Sequence, residues 1–271
     1  MSWWRVWLRW SRINKNRNMK KKQVAIIHFN TPELTEAAIL SLRKHGGEDY
    51  AVTVFDNSTA TTDEDGNTIK ARPFKKKMKG VARIDNTKGQ VIDFDEFLAG
   101  YPDREAKYAA LSDFGSAKHI RTIEELWVLL PDGFVLMESD ILIKKDIDWM
   151  FDEEFAAVGK VQWKQRGNKF AIPRYLPHLL YMNVRKLRKA GVHFFDDKRC
   201  WALQKGENTR GNWYDTGASL LEEIRRGKPA LVGRNVASLT DYYDHYQGGS
   251  WRKNDVEHQK AWLKAREELY K

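Results

Sequence analysis

Two acidic residues separated by one serine interrupt a markedly apolar stretch of the chain. Glu138 and Asp140 lie within residues 134–143, a run that is otherwise almost entirely apolar. A short apolar run is typical of a strand buried in a parallel sheet, so both carboxylates are expected where that strand ends. Paired carboxylates there can hold a divalent cation that neutralises a diphosphate. Taken alone, the triplet has an alternative interpretation as a solvated loop whose acids cap the next turn.

Two earlier strands are also predicted to end in polar residues. A β-branched, apolar run at 24–29 predicts the first strand, and Thr31 and Pro32 predict the N-cap and first position of a helix that ends at Gly46. A second strand over 50–55 completes a βαβ unit and is followed by Asp56. Because ligands of open parallel sheets bind at the carboxyl ends of strands, all these polar residues are predicted to share one crevice.

The remaining pattern predicts one α/β domain with an N-terminal arm. We divide the chain into an arm at 1–21, a domain at 22–251 and a C-terminal helix at 252–271. Residues 59–79 are predicted to form a loop excursion, polar at first and then rich in lysine. Further strands are predicted at 81–84, 156–161 and 179–184, and further helices at 116–130, 218–226 and 255–270.

Charge is unevenly distributed along the 271 residues. The net charge is +10, but residues 1–22 contain eight basic side chains and no acid, which leaves 39 basic against 37 acidic residues in 23–271, a net of +2. A nucleic-acid-binding body is therefore not required by the charge. An apolar content of 42% predicts a folded chain. The single cysteine, Cys200, forms no intramolecular disulfide, which suits a reducing cytoplasm, and it is expected to pack.

The arm combines its basic residues with four tryptophans. If it is helical, Trp3, Trp7 and Trp10 line one side, which would suit the headgroup region of an anionic membrane. Alternatively, residues 1–18 form a disordered or misassigned leader before Met19. No apolar run reaches the ~20 residues that span a bilayer, and Arg5 and Arg9 argue against a signal peptide. We expect a cytoplasmic protein, peripheral at the inner membrane face if the arm binds lipid.

Six short segments occur in the order found in a known enzyme family. They are 28–31, 54–58, 114–117, 138–140, 214–217 and His245 followed by 248–251. In this order the chain resembles the GT-A-fold nucleotide-sugar glycosyltransferases, in particular the large inverting family 2-type enzymes of bacteria and phages. The resemblance covers about residues 22–251. It implies a Rossmann-like, mostly parallel central sheet with helices on both faces.

The resemblance also implies roles for individual residues. The donor nucleotide is expected to contact His28, Asn30, Asp56, Asp113, Glu138 and Ser139. Asp140 and His245 are expected to ligate Mn²⁺ or Mg²⁺, with the imidazole favouring Mn²⁺. Glu138 replaces a commoner aspartate, so we expect it to reach the ribose, or the metal through water. The alternatives are an Asx-turn for Asp56 and a packed aromatic cluster around His245.

The implied reaction moves a sugar from a nucleoside diphosphate, with UDP favoured, to a glycan, a lipid-linked glycan or another hydroxyl. Asp215 is predicted to be the general base of an inverting transfer, and Trp213 and Tyr214 are predicted to stack on the acceptor. Glu222 or Glu223 could be the base instead, and Asp215 could simply cap the following helix.

Four other function classes bind nucleotides, sugars or nucleic acids and have to be considered. A nucleotidyltransferase should carry a glycine-rich phosphate loop after the first strand, and residues 30–32 do not supply one. The fingerprints of dinucleotide-binding dehydrogenases and of P-loop NTPases do not occur there either. A non-catalytic carbohydrate- or nucleic-acid-binding protein that uses the 11 Trp and 10 Tyr is the remaining alternative. We expect no nucleic-acid partner.

Overall fold

A computed structural model describes residues 21–46, 50–62, 67–99, 114–163, 165–166, 169–170, 173–194, 216–227, 229–246 and 256–271. The strands are β1 (Gln23–His28), β2 (Ala51–Asp56), β3 (Thr61–Thr62), β4 (Thr68–Ile69), β5 (Val81–Asp85), β6 (Phe134–Glu138), β7 (Ile141–Ile143), β8 (Ala157–Gln162), β9 (Gln165–Arg166), β10 (Lys169–Phe170), β11 (Arg174–Met182), β12 (Gly233–Asn235) and β13 (Tyr243–His245). The α-helices are α1 (Pro32–His45), α2 (Phe94–Ala99), α3 (Phe114–Leu129), α4 (Val184–Lys189), α5 (Ala218–Arg226) and α6 (Val256–Leu269). Short 3₁₀ helices occur at Asp148–Met150 and Ala237–Tyr242.

Seven strands form the central sheet, in the order β12-β8-β11-β6-β1-β2-β5. β1 pairs in parallel with β2 and β6, β2 with β5, and β8 with β12, whereas β11 is antiparallel to both of its neighbours. The carboxyl ends of β1, β2, β5, β6 and β8 therefore lie at one edge of the sheet, which we call the carboxyl edge. β11 begins at this edge. The predicted α/β class with a mostly parallel sheet is confirmed.

Helices cover both faces of the sheet, which explains the continuous apolar runs of its central strands. On one face, Ala25 and Leu136 pack with Ile123 and Trp127 of α3 and with Leu220 of α5. On the other face, alternate strand residues pack with α1, and that cluster includes Val24, Ile26, Val135, Ile39 and Leu42. The alternation fixes which strand residues point to which face.

One local prediction needs correction. Helix α1 begins at Pro32 with Thr31 at the N-cap, as expected, but the Thr31 side chain makes no capping hydrogen bond, and its buried hydroxyl has no partner among the described residues. The acids do lie where the strand ends, since β6 ends at Glu138 and a turn at Ser139 and Asp140 leads to β7. β7 leaves the main sheet and pairs with β13.

The predicted excursion at 59–79 contains a small hairpin of β3 and β4, and the chain after it returns to the ends of β1 and β2. The C-terminal helix α6 packs on α1, where the Tyr270 hydroxyl donates to Glu36 at 2.6 Å and Lys44 Nζ donates to the carbonyl oxygen of Glu268 at 2.7 Å. Within the described ranges, no helix has the length and apolar character needed to cross a bilayer.

Candidate metal and nucleotide site

Four potential metal ligands converge at the carboxyl edge. Glu138 is the last residue of β6, and the antiparallel register that pairs Leu179 with Met137 places His178 of β11 opposite it. His245 ends β13, whose pairing with β7 sets it opposite Ile141, the residue after Asp140. Two histidines and two acids from separate parts of the chain thus meet at the point where β6 ends.

Three of these residues lie close enough together to hold one ion, and Asp140 lies beside one of them. His245 Nε2 lies 3.6 Å from Glu138 Oε2 and 3.5 Å from Asp140 Oδ1, and His178 Nε2 lies 3.7 Å from Glu138 Oε2. One ligand atom from each of Glu138, His178 and His245 lies within 4.8 Å of the others. The imidazole ring centroids of the two histidines are 3.9 Å apart. All four side chains are partly buried, which limits competition from water.

The electrostatics of the site keep one imidazole uncharged. Burial, and then the neighbouring His245, lower the pKa of His178 to about 3. A neutral imidazole has a free lone pair, which is the form that binds a metal. Tyr243 packs edge-on against the His178 ring, and burial raises the pKa of its phenol, so it remains a neutral neighbour.

This donor set fits a transition metal better than a hard cation. Imidazole nitrogen suits Mn²⁺, Zn²⁺ and related ions, while Mg²⁺ prefers oxygen ligands and water. Glu138, Asp140, His178 and His245 offer two nitrogen and at least two oxygen donors. The expected metal fits these residues.

The predicted metal residues Asp140 and His245 are brought together, and their ligand roles stay predictions. Glu138 lies directly among the imidazoles, whereas we expected it to reach the ribose, or the metal through water. His178 was missed, because a histidine within an apolar strand gives no local signal. Only the register between β11 and β6 could have identified it.

Asp56, by contrast, is fully buried and engaged by the protein itself. Its Oδ1 accepts a hydrogen bond from the backbone N–H of Ser58 at 3.0 Å. Its Oδ2 accepts from the backbone N–H of Phe74 at 2.9 Å and from Arg83 Nε at 2.8 Å. The bond to Ser58 is the Asx-type contact weighed above. Nucleoside contact by Asp56 stays a prediction, and these bonds favour a positioning role.

His28 and Asn30 are engaged in the same way. Buried His28 bonds through Nδ1 with the Thr35 hydroxyl at 2.7 Å and through Nε2 with the carbonyl oxygen of Arg72 at 3.0 Å, and burial lowers its pKa. Asn30 has a φ of 55°, a conformation that asparagine tolerates better than most residues. Its Nδ2 donates to the Thr59 carbonyl at 2.7 Å, and its Oδ1 accepts from Arg72 N at 3.0 Å.

Together, Asp56, His28 and Asn30 attach both ends of the excursion to the carboxyl edge. Phe29 lies between His28 and Asn30 and is 38% exposed. This aromatic ring, rather than its polar neighbours, is open to a ligand at the end of β1.

The other predicted residues are only partly covered by the structure. Ser139 lies in the turn after β6, and Asp113, Trp213, Tyr214 and Asp215 lie outside the described residues. The chain resumes at Thr216 and Gly217, where the carbonyl oxygen of Gly217 accepts from the backbone N–H of Tyr175 at 3.3 Å. Because Tyr175 lies near the start of β11, residue 217 lies toward the carboxyl edge. The alternative bases Glu222 and Glu223 both contact Arg226 on α5.

Comparison with known proteins gives only distant similarity. No protein-family model matches the chain, and no curated protein matches its sequence. Among solved structures, the glycosyltransferase GlyE of Streptococcus pneumoniae TIGR4 is similar at 13% identity, with a TM-score of 0.47 and coverage of 92% of this chain and 60% of that one. The chain thus spans less than two thirds of GlyE.

Two further structures are similar at the same level. The galactosyltransferase LgtC, crystallised with donor and acceptor sugar analogues, has 13% identity, a TM-score of 0.46 and coverage of 92% of this chain and 96% of that one. Mouse xyloside xylosyltransferase 1 has 10% identity, a TM-score of 0.45 and coverage of 80% and 85%. The α/β architecture is consistent with a GT-A-like fold, and such distant similarity leaves function to be argued from the site.

Proposed function

We propose that the chain is a metal-dependent glycosyltransferase that takes a sugar from a nucleoside diphosphate, with a UDP-sugar favoured. The observation that carries this proposal is the convergence of Glu138, Asp140, His178 and His245 at the carboxyl edge. This edge is where open parallel sheets bind their ligands.

The four residues would hold Mn²⁺ in preference to Mg²⁺. A bound divalent ion supplies charge stabilisation to the diphosphate leaving group. The protein's own contribution is to fix the ligands. His178 is held by strand pairing between β11 and β6, and His245 by the pairing of β13 with β7. Ligands fixed by a sheet need little reorganisation when the donor binds.

The nucleoside would bind at the ends of β1 and β2, beside the metal site. We propose that the exposed ring of Phe29 contacts the base. Asp56, His28 and Asn30 hold the loop that borders this position, and Ser139 and Asp113 remain proposed donor contacts. Asp56→Asn separates the two roles proposed for this residue. Loss of folding stability with unchanged affinity of the folded protein for UDP and Mn²⁺ would indicate positioning, and a specific loss of affinity would indicate contact.

We propose that Asp215 is the general base of an inverting transfer and that Trp213 and Tyr214 contact the acceptor, which is a glycan, lipid-linked or free. The position of Gly217 beside Tyr175 supports this assignment, since it brings the chain two residues beyond Asp215 close to the start of β11. Asp215→Asn should abolish transfer while nucleotide binding persists. The anomeric configuration of the product, read by NMR, tests inversion.

The first test of the whole proposal is thermal unfolding with UDP, GDP, dTDP and CMP, each with and without Mn²⁺. A ligand that binds the native site raises the unfolding temperature by mass action. We expect a metal-dependent rise with one nucleotide class. The rise should disappear in Asp140→Ala and persist in Asp132→Ala, a matched control that removes an exposed acid near the start of β6, at the opposite edge.

Other results of the unfolding measurements would favour a different function. No shift with any nucleotide would favour a non-catalytic carbohydrate- or nucleic-acid-binding protein. The same measurement with the four nucleoside triphosphates tests the second alternative, and a shift with triphosphates alone would favour a nucleotidyltransferase. An equal shift in Asp140→Ala and in the wild type would exclude Asp140 as a ligand.

A further inference from the structure

Trp163 is the most exposed large hydrophobic side chain of the described residues, at 68% exposure. It directly follows β8. The guanidinium carbon of Arg225, on α5, lies 5.1 Å from the centroid of its ring, in cation–π contact. An indole this open to water with a cation against it presents both a stacking surface and a positive charge to a ligand.

The sheet places Trp163 on the same edge as the metal site. β8 and β6 are both antiparallel to β11, so they end at the same edge. Alternation puts Trp163 on the sheet face of Ala157 and Val161, the face that α5 covers. Gln162 pairs with Arg174, which lies four residues before His178 on β11. The strand bulges between Tyr175 and Leu180, so these residues form an irregular segment between the two places.

The chain around Trp163 is locally basic. Residues 155–174 contain five basic side chains and no acid, although residues 23–271 as a whole have a net charge of only +2. Two of the five lie close to the end of β8. Lys160 donates to the Thr240 hydroxyl at 3.1 Å, and Arg174 donates through Nε to Gln162 at 3.3 Å. Arg225 adds a sixth positive charge from a separate element.

We propose that Trp163 and Arg225 form an acceptor subsite for an anionic glycan. This inference rests on the proposed function and specifies its acceptor. The C–H face of a sugar ring carries partial positive charge and stacks on the negative face of the indole. Arg225 pairs with a carboxylate or phosphate on that sugar. The bound unit is then one further along the acceptor than the unit that receives the sugar, because residues 174–178 of β11 lie between Trp163 and the metal site.

A carboxylate and a diphosphate share this chemistry, and different probes distinguish them. We would measure binding by calorimetry for three probes: an oligogalacturonate, a neutral malto-oligosaccharide and a short-chain polyprenyl diphosphate carrying two sugars. We expect one of the two anionic probes to bind and the neutral probe to bind at least about tenfold more weakly. The anionic probe that binds identifies the source of the charge.

Variants test the two side chains separately. Trp163→Ala and Arg225→Gln should each lower the affinity for the anionic probe by about tenfold. Trp163→Phe, which keeps an aromatic face, should retain most of the affinity. Val128→Ala removes another exposed apolar side chain, on α3, and should bind as the wild type does. Mn²⁺-dependent UDP binding should be unchanged in all four variants.

This design keeps the inference separate from the proposed function. If UDP binds with Mn²⁺ but neither anionic probe binds, or if Trp163→Ala binds as tightly as the wild type, the acceptor subsite is wrong and the donor site stands. If UDP does not bind the wild type, the proposed function is wrong, and anionic glycan binding lost in Trp163→Ala would then describe a carbohydrate-binding protein.

Discussion

At the scale of single residues, the polar side chains of the carboxyl edge divide into two groups. Glu138, His178 and His245 face one another within ligand distance. The side chains of Asp56 and His28 instead form hydrogen bonds with neighbouring backbone and side-chain groups of the protein. The first group could hold an ion, and the second group holds the loop beside it.

His178 provides the sharpest test of the metal site. His178→Ala removes one of two imidazoles, so Mn²⁺ affinity measured by calorimetry should fall by about tenfold or more, and the preference for Mn²⁺ over Mg²⁺ should narrow. His193→Ala is the matched control, since that histidine is 77% exposed and pairs with Glu124 outside the site. Unchanged Mn²⁺ affinity in His178→Ala would remove this residue from the ligand set.

The burial of His28 leads us to expect that folding stability depends on pH. Burial lowers its pKa in the folded protein, whereas in the unfolded chain it protonates near pH 6.5. Below that pH the unfolded state binds more protons, so the free energy of unfolding falls as pH decreases, by up to about 1.4 kcal/mol per pH unit.

Urea unfolding of metal-free protein between pH 7 and pH 5 measures this effect. His28→Gln should show a shallower decrease than the wild type, because the substitution removes one buried group that resists protonation. His193→Gln, at an exposed position, should keep the wild-type slope. Equal slopes for His28→Gln and the wild type would contradict a neutral, buried His28.

At the scale of elements, the antiparallel strand β11 decides the composition of the site. It lies between β6 and β8, and its register sets His178 against Glu138. Its start also receives the chain that follows Asp215, because Gly217 packs on Tyr175 with a φ of +88°. A Cβ at position 217 would lie 2.2 Å from the carbonyl oxygen of Tyr175. Only glycine fits this approach.

Two glycines with similar backbone angles distinguish the cost of a left-handed backbone from the cost of a steric clash. Gly191→Ala, at a φ of +72° with no atom within 4 Å of the new Cβ, should cost about 1 kcal/mol of unfolding free energy. Gly217→Ala should cost about 3 kcal/mol or more, because the backbone of β11 must also move. Urea unfolding measures the loss of unfolding free energy in both variants. An equal loss would contradict a steric clash between a Cβ at position 217 and the carbonyl oxygen of Tyr175.

At the scale of the whole molecule, the excess positive charge precedes the sheet in the chain. Residues 1–22 carry eight basic side chains without an acid, and they join the sheet at Gln23, the first residue of β1. The carboxyl edge lies at the opposite end of that strand. We propose that residues 1–22 bind an anionic membrane surface and that this binding is separate from nucleotide binding.

Deleting residues 1–18 tests this separation. In sedimentation with vesicles that contain phosphatidylserine, the deletion should remove most of the vesicle-bound protein. Binding of the full chain to these vesicles should weaken as the salt concentration rises. Mn²⁺-dependent UDP binding should be the same with and without the arm. Vesicle binding that persists after the deletion would place the lipid-binding surface elsewhere, and a loss of UDP binding would show that the arm supports the crevice.

The sequence alone determined several central elements and the edge of the sheet where their polar ends meet. Apolar β-branched runs, a proline at a helix start and acids at strand ends are local signals, so β1, α1, β2 and β6 could be predicted close to their observed bounds. Parallel order then implied one shared crevice, and the family resemblance implied that Asp140 and His245 belong to it. The capping hydrogen bond expected from Thr31 is absent.

The tertiary structure decided which side chains meet. His178 joined the site through strand register, and Asp56 was enclosed because residues 72–74 return to the end of β2. Trp163 lies at the same edge as the metal site because the antiparallel strand β11 brings the ends of β8 and β6 to one edge. These contacts join residues far apart in the chain, and register and loop return depend on the packing of the whole sheet. No local pattern of residues encodes them.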